Sequence, residues 1–268
     1  MNKLFAVILT SHLMMPAFTH ADNLPLTTTS GSELGLQISD YKYEEQFNGA
    51  FLMSNAGTKW GFTGSYTQTV GNGWYWSGDA RFALGEVKYT GTGTKEGNPD
   101  LLFDGRLIGG KDFARGKYLL SPYAGLGYRM LYNDLRGLTS SGAAGYRRTS
   151  RYIYLPLGLT HRFRWDDQAR VSTSVEYNYF LEGKQQSFLS DSNSQSNDPV
   201  NTQKNGYGIR LVSSYETMSW SLGLFYQFWS LKDSDRSALT AAGVPVGYVI
   251  EPQNTSTEVG IQLKYRFN

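Results

Sequence analysis

The chain of 268 residues contains no cysteine. That excludes disulfides, thiolate metal sites, a cysteine nucleophile and the lipidated cysteine of a bacterial lipoprotein. Histidine is almost absent: of three, only His161 lies beyond position 20. Net charge is small, 25 Lys and Arg against 23 Asp and Glu, so the bulk electrostatic footprint of a nucleic-acid binder is missing. Long apolar runs are missing as well. After residue 21 the richest stretch, Leu155-Pro156-Leu157-Gly158-Leu159, is short and broken, far below the roughly 18 residues of a membrane helix. There is no GxSxG, P-loop, HExxH or Cys/His cluster, so no cofactor or metal is expected.

What is present is unusual for a soluble core. Aromatic residues make up 15% of the chain, with 19 Tyr and 30 Gly, in a composition otherwise polar. The N-terminus reads as a secretory signal: a cationic start at Lys3, an apolar run from Leu4, and Thr19-His20-Ala21 with small residues at the inspected positions. Cleavage after Ala21 is expected, with residues 22–268 forming one domain.

The dominant pattern beyond that point is a period of two, the signature of strands. Trp76, Gly78, Ala80, Phe82 and Leu84 alternate with Ser77, Asp79, Arg81 and Ala83. Tyr118, Leu120, Ala124, Leu126, Tyr128, Met130 and Tyr132 alternate with Ser121, Tyr123, Gly125, Gly127 and Arg129. Similar runs centre on residues 101–113, 153–163, 171–182, 207–215, 220–229 and 258–267, with weaker ones at 34–43 and 60–70, ten in all. Short connections alternate with long polar ones near 46–58, 91–100, 134–149, 188–205 and 232–254. Short turns at one end and long loops at the other mark an outer-membrane barrel.

A soluble sandwich also alternates. Aromatic residues at both strand ends, such as Trp220 with Phe228 and Tyr207 with Tyr215, favour the headgroup levels of a bilayer instead. The last strand carries Leu263, Tyr265 and Phe267 on one face, followed by Asn268. This resembles the C-terminal signal read by the barrel-assembly machinery, although such signals usually stop at the aromatic residue. The reading is therefore an all-β, ten-stranded antiparallel transmembrane barrel in the bacterial outer membrane. Its expected partners are outer-membrane lipid, lipopolysaccharide and, during biogenesis, the assembly machinery. In strand count and loop asymmetry the chain resembles the omptin and Opc-type barrels, in architecture only. Omptins work with paired acids and an Asp–His couple at the outer rim. The parity of His161 turns it outward near the short-turn end, so that mechanism does not carry over.

If apolar positions face lipid, the alternate set faces the lumen. It includes Arg81, Arg106, Arg129, Arg162, Lys184, Arg210, Lys264 and Arg266, with Asp79, Asp104, Asp112, Glu176, Glu182 and Glu258. Burying charge is costly unless it is paired, so this near balance predicts a lumen plugged by ion pairs. The network is expected to centre on Asp79, Arg81, Asp104, Arg106, Arg129, Glu176, Arg210 and Glu258. Inward glycines at 125, 127, 208 and 223 are expected to leave room for Tyr123, Phe225 and Trp229.

Among the outer loops, Arg136, Tyr146, Arg147, Arg148 and Arg151 cluster as a candidate surface for phosphates or acidic glycans. The polar, low-complexity tract 188–205 is expected to be mobile. The apolar tract 239–250 is expected to cap the mouth or contact a partner. The leading functional expectation is a structural or surface-interaction protein without enzymatic activity. The alternatives are a small pore for polar or anionic solutes and, third, a hydrolase at the rim.

Overall fold

The computed structural model describes residues 23–267. The signal segment 1–21 and Asn268 lie outside the described residues. The strands are β1 (Gly31–Phe47), β2 (Ala50–Gly71), β3 (Trp74–Gly91), β4 (Gly93–Lys111), β5 (Phe113–Arg115), β6 (Tyr118–Leu138), β7 (Ala144–Arg164), β8 (Arg170–Ser187), β9 (Val200–Gln203), β10 (Gly206–Glu216), β11 (Trp220–Leu231), β12 (Ser237–Ala241), β13 (Val244–Val249) and β14 (Gln253–Phe267). A single 3₁₀ turn, Leu189–Asp191, is the one helical element among the described residues.

Ten of these strands close a barrel. They run β1-β2-β3-β4-β6-β7-β8-β10-β11-β14, and β14 pairs back onto β1. Every pairing is antiparallel, and the ring has no free edge. Closure satisfies backbone N–H and C=O groups that hydrocarbon could not. The expected ten strands and their connectivity are therefore present.

The outward rows explain the aromatic content. Leu36, Phe62, Leu107, Leu126, Leu157, Leu224 and Ile261 form an exposed apolar band. Below it, at the end with short turns, rings touch one another: Tyr66 with Trp76 at 5.5 Å, Tyr118 with Phe163 at 5.4 Å, Trp220 with Tyr265 at 4.7 Å and Tyr265 with Phe267 at 4.9 Å. Lys111 lies 5.0 Å from the centre of the Trp74 ring in the same girdle. Tyr177 and Tyr207 stack at 6.1 Å near the other edge of the band. Rings with an apolar body and a polar tip suit these two boundaries.

Three of the five expected long loops are strand instead. β1 and β2 are joined by Asn48-Gly49 alone, β3 and β4 by Thr92, and β6 and β7 by residues 139–143. Asn48 and Gly49 have φ of 51° and 77°, the left-handed pair of a type I′ hairpin turn. The reason for the extra strand is a reversal of hydrophobic sense along each strand. On β1, Leu34, Leu36 and Ile38 point out while Gln37 and Ser39 point in; further up, Asp40, Lys42 and Glu44 point out while Tyr41 and Tyr43 point in. Side-chain parity continues unbroken, but the solvent outside has changed from lipid to water. β2, with 22 residues, and β6 and β7, with 21 each, extend past the band in this way.

Only 188–205 and 232–252 remain long connections at this outer end, on the side where β10 and β11 are short. Residues 188–205 are held by internal contacts and carry the 3₁₀ turn and β9: Asp198 accepts from the backbone N–H of Ser190 at 2.9 Å and from its hydroxyl at 3.0 Å. Residues 239–250 do not cap the mouth. Most of them form the β12–β13 hairpin, which leans on 188–205 through a Ser196–Ala241 bridge and leaves Val244, Val246 and Tyr248 62%, 59% and 73% exposed.

One parity expectation is corrected. A bulge on β8 opposite Ile153/Tyr154 turns both Leu181 and Glu182 outward, so Glu182 and Lys184 leave the lumen and pair on the outside at 3.7 Å.

Replacing a band residue with a charge should be costly. Leu224→Arg, in the middle of the outward row of β11, should destabilise the barrel by about 2–4 kcal/mol. Urea unfolding from phospholipid vesicles measures this, and a loss below the scatter of neutral substitutions would place Leu224 outside the hydrocarbon.

Candidate functional site

The lumen is built in layers, because alternate residues of all ten strands converge on it. At the level of the band, Arg81 of β3 reaches across to Glu258 of β14 with two contacts, at 2.6 and 3.0 Å. Ser39 donates to the same carboxylate at 2.7 Å. Arg81 also donates to Gln227 at 2.5 Å, and Gln227 donates to Asp104 at 3.0 Å. Asp104 accepts from the Tyr154 hydroxyl at 2.5 Å and faces Arg129 at 3.6 Å. This chain of contacts links β3, β4, β6, β7, β11 and β14 through the interior.

A second layer lies nearer the turn end. Arg106 holds Asp79 through two hydrogen bonds of 3.0 and 2.9 Å and also binds Glu176 across the lumen. Tyr123 donates to Glu176 at 2.9 Å, and Arg210 stands 4.0 Å from Asp79. All eight residues expected for the network are thus brought together. Asp79 and Asp104 do not form a carboxylate dyad, since each is engaged by its own arginine.

Glycines create the space, with a different pairing from the one expected. Gly127 lies under the ring of Tyr154, Gly158 under Tyr123, Gly260 under Phe225 and Gly208 under Trp229. A Cβ on Gly127 or Gly158 would collide with the ring above it.

Above the charged layers the interior becomes an ordinary protein core. Tyr41, Tyr43, Val87, Leu102, Leu131 and Trp229 belong to one buried cluster. Tyr154 packs edge-on against Trp229 at 5.0 Å. Embedded here, Lys59 pairs with Asp100, with 0% and 5% side-chain exposure, and lies over the Tyr41 ring at 3.4 Å. Neither the cluster nor this pair was expected. Met53, Leu135 and Asp100 sit in segments read as loops, whereas most of the cluster lies at the outer ends of runs read as strands.

The outer mouth is closed by Glu45, Glu251, Tyr43 and Arg148. Arg148 binds both carboxylates, Glu251 at 2.6 Å, and the Tyr43 hydroxyl lies 3.0 Å from each. Burial pushes the Glu251 carboxyl up to about 7; Arg148 opposes the rise and Glu45 adds to it.

The five residues expected as one outer binding surface do not converge. Arg148 is buried in the mouth. Arg147 is held by Asp191 at 2.8 Å and Arg136 by Asp134 at 2.7 Å. The hydrogen bonds from Arg147 and Arg136 keep the Asp191 and Asp134 carboxyls below the usual range. Tyr146 is half-buried, and Arg136, Arg147 and Arg151 face outward, of which Arg151 alone has no carboxylate within ion-pair reach among the described residues. The reason is that this segment is the top of β6 and β7, where parity sends neighbours to opposite faces. His161 lies where expected, outward in the turn-end girdle, 6.0 Å from Tyr118. Leu263, Tyr265 and Phe267 share the outward face of β14 at the turn end.

At that end the chain's own N-terminal segment crosses the mouth. Leu24 and Leu26 are buried, and the N–H of Leu24 donates to the Asp167 carbonyl at 2.7 Å. Arg170 reaches the carbonyls of Pro25, Leu26 and Thr27, and pairs with Glu216 at 2.7 Å.

No family model and no curated protein matches the sequence. The fold is similar to that of the outer-membrane protease OmpT from Escherichia coli, with a TM-score of 0.59 over 88% of this chain and 97% of that one, at 12% identity. Lower scores relate it to the translocator domain of the autotransporter NalP from Neisseria meningitidis (TM-score 0.46, 15% identity, 90% of each chain). The outer membrane protein OprG from Pseudomonas aeruginosa follows (TM-score 0.35, 11% identity, 91% and 99%). At such identities the likeness concerns the fold. Closed barrel, apolar band and girdles together are those of a bacterial outer-membrane protein.

Removing one partner of the central pair should be worse than removing both. Arg81→Met or Glu258→Leu alone should cost about 3–5 kcal/mol, and the double variant should recover much of the loss. Chemical denaturation compares the three; additive losses would show that the two side chains act independently. The mouth should respond to pH. With Glu251 raised from an ordinary 4.5 to about 7, the folded mouth holds this proton more tightly than the unfolded chain. Its stabilising contribution is full below about 4.5, falls as pH rises and is gone above about 7. Protease access to 232–252 should increase from about pH 5 to about pH 8, and Glu251→Gln should flatten that rise.

Proposed function

We propose that this protein is an outer-membrane barrel with a closed lumen and no catalytic activity, acting at the cell surface through its outer extension. The cross-wall chain Glu258–Arg81–Gln227–Asp104–Tyr154 carries this reading, because it fills the section of the barrel where a solute would have to pass. The buried cluster around Trp229 adds a second barrier above it. A plug of this kind fits ion pairing that spans the interior and satisfies most of its members.

Catalysis at the rim is disfavoured by the same geometry. Glu45 and Glu251 are buried and shared by Arg148 and Tyr43. A surface role is favoured by the β12–β13 hairpin, whose apolar residues lie open at the rim. Outward-facing Arg151 has no carboxylate within ion-pair reach among the described residues, and stands beside Lys184 of β8 in register. That pair of cations suits the phosphates of lipopolysaccharide. Leu263, Tyr265 and Phe267 would serve as the assembly signal.

Two measurements test the reading. Purified protein in a planar bilayer should give no steady single-channel steps; regular openings would favour the pore for polar or anionic solutes instead. Changing Val244, Val246 and Tyr248 together to Ser should abolish adhesion of expressing cells to glycan or protein surfaces while heat-modifiable gel migration stays normal. Unchanged adhesion would remove the hairpin from the interaction.

A further inference from the structure

Below the Arg81–Glu258 layer the lumen opens into a polar cavity of about 220 Å³. It is blind. The ion-pair layer closes it on the outer side, and the segment around Thr28 and Thr29 lies across it at the turn end. Seven Lys and Arg side chains line it against four Asp and Glu. Glu258 and Asp112, just outside the lining, face Arg81 at 2.6 Å and Arg162 at 3.9 Å. The walls are therefore left with an excess of positive charge.

The excess is one charge, and because Arg106 takes two carboxylates, Asp79 and Glu176, it is shared by two residues. Asp79 gives both oxygens to Arg106, so Arg210, whose only carboxylate within reach is Asp79 at 4.0 Å, has no partner of its own. Glu33 takes both Arg266 hydrogen bonds on Oε1, and Lys264 stands 3.8 Å from its Oε2, beyond hydrogen-bonding distance. Among the described residues each is a cation whose nearest carboxylate is already hydrogen-bonded to an arginine and which makes no hydrogen bond to it itself. A third observation points into the same space. The Thr63 hydroxyl is buried on the cavity wall and has no hydrogen-bond partner.

We infer that this vestibule binds a small oxyanion of the phosphate class, held by Arg210 and Lys264 with Thr63 as an additional donor. Such an anion accepts several hydrogen bonds at once and neutralises the excess that the protein carboxylates leave. The volume admits it together with a few ordered waters, each of about 30 Å³. The segment 24–26 narrows the turn-end mouth, which favours a small anion over a two-chain lipid. The site faces the periplasmic side and stands apart from the outer surface, so it holds whether or not the hairpin binds anything.

The test uses full-length folded protein in detergent, with inorganic phosphate as the probe and sodium chloride at matched ionic strength as the reference. A ligand that binds only the folded state raises its thermal midpoint. We expect a saturable upward shift of a few degrees for the unaltered protein and for Arg115→Gln, a change at an exposed turn. Arg210→Gln and Lys264→Gln should each lose most of the shift, and the double variant all of it. Absence of a phosphate-specific shift in the unaltered protein, or equal shifts in all variants, overturns the assignment. If a variant does not fold, as judged by heat-modifiable migration, phosphorus-31 NMR line broadening on the unaltered protein decides. Saturable broadening, relieved by sulfate but not by chloride, is expected, and its absence is fatal.

Discussion

Every outward side chain of this protein answers to one of two solvents, and the change from one to the other sets the architecture. In hydrocarbon an unpaired backbone amide costs several kcal/mol, so the sheet must close and the outward rows must be apolar. A few residues higher the outside is water, and the same rows must become polar. Because strand parity cannot change without a bulge, the interior has to change in the opposite sense. Arg81 and Asp79 point inward at the level of lipid, whereas Val87 points inward above it on the same strand. One continuous sheet therefore encloses a polar interior in the membrane and an apolar core beyond it.

The polar interior is stable because charge is spent across the barrel rather than along a strand. Arg81 ignores its register neighbour Asp104 and binds Glu258 three strands away; Asp104 is left for Tyr154, Gln227 and Arg129. Such cross-links cost desolvation, which only multiple contacts per ion offset. The high glycine and tyrosine content follows from the same need. Rings long enough to reach the middle of the lumen must lie over a wall residue without a side chain, as Tyr154 does over Gly127 and Tyr123 over Gly158.

Much of this was legible in the sequence, and the lost parts have a common cause. Alternation with apolar residues on one face identified ten strands, and parity alone put Asp79, Arg106, Glu176 and Glu258 inside. The same rule failed at Glu182 and Lys184, because a bulge is a local change of one residue that leaves no mark on composition. It also failed above the membrane. There the apolar residues switch faces and polar ones fill the outward positions, so 46–58 and 134–149 look like loops to any reading that expects the outward face to stay apolar. Arg147 and Arg148, adjacent in sequence, consequently looked like one basic patch; a strand sends one outward to Asp191 and the other into the mouth with Glu45. The N-terminal segment was silent because Leu24 and Leu26 show no period, and it is contacts with Asp167, Arg162 and Arg170 of the barrel that fix their place.

The tall wall also locates where this barrel can meet other molecules. β1 to β4 and β6 to β8 raise a continuous sheet above the membrane whose core is full and whose surface is charged and paired. A surface of that kind resists association, since each paired charge would have to be desolvated again. On the β10–β11 side the wall is low, and the two remaining connections fold against each other there rather than over the lumen. Their packing buries the backbone of β12 and leaves the Val-Pro-Val-Gly-Tyr strand of β13 as the outermost apolar edge. The asymmetry of strand length thus leaves a weakly hydrated surface on the low side of the rim, in addition to the apolar tips Phe47, Phe51, Leu52 and Leu138 of the tall side.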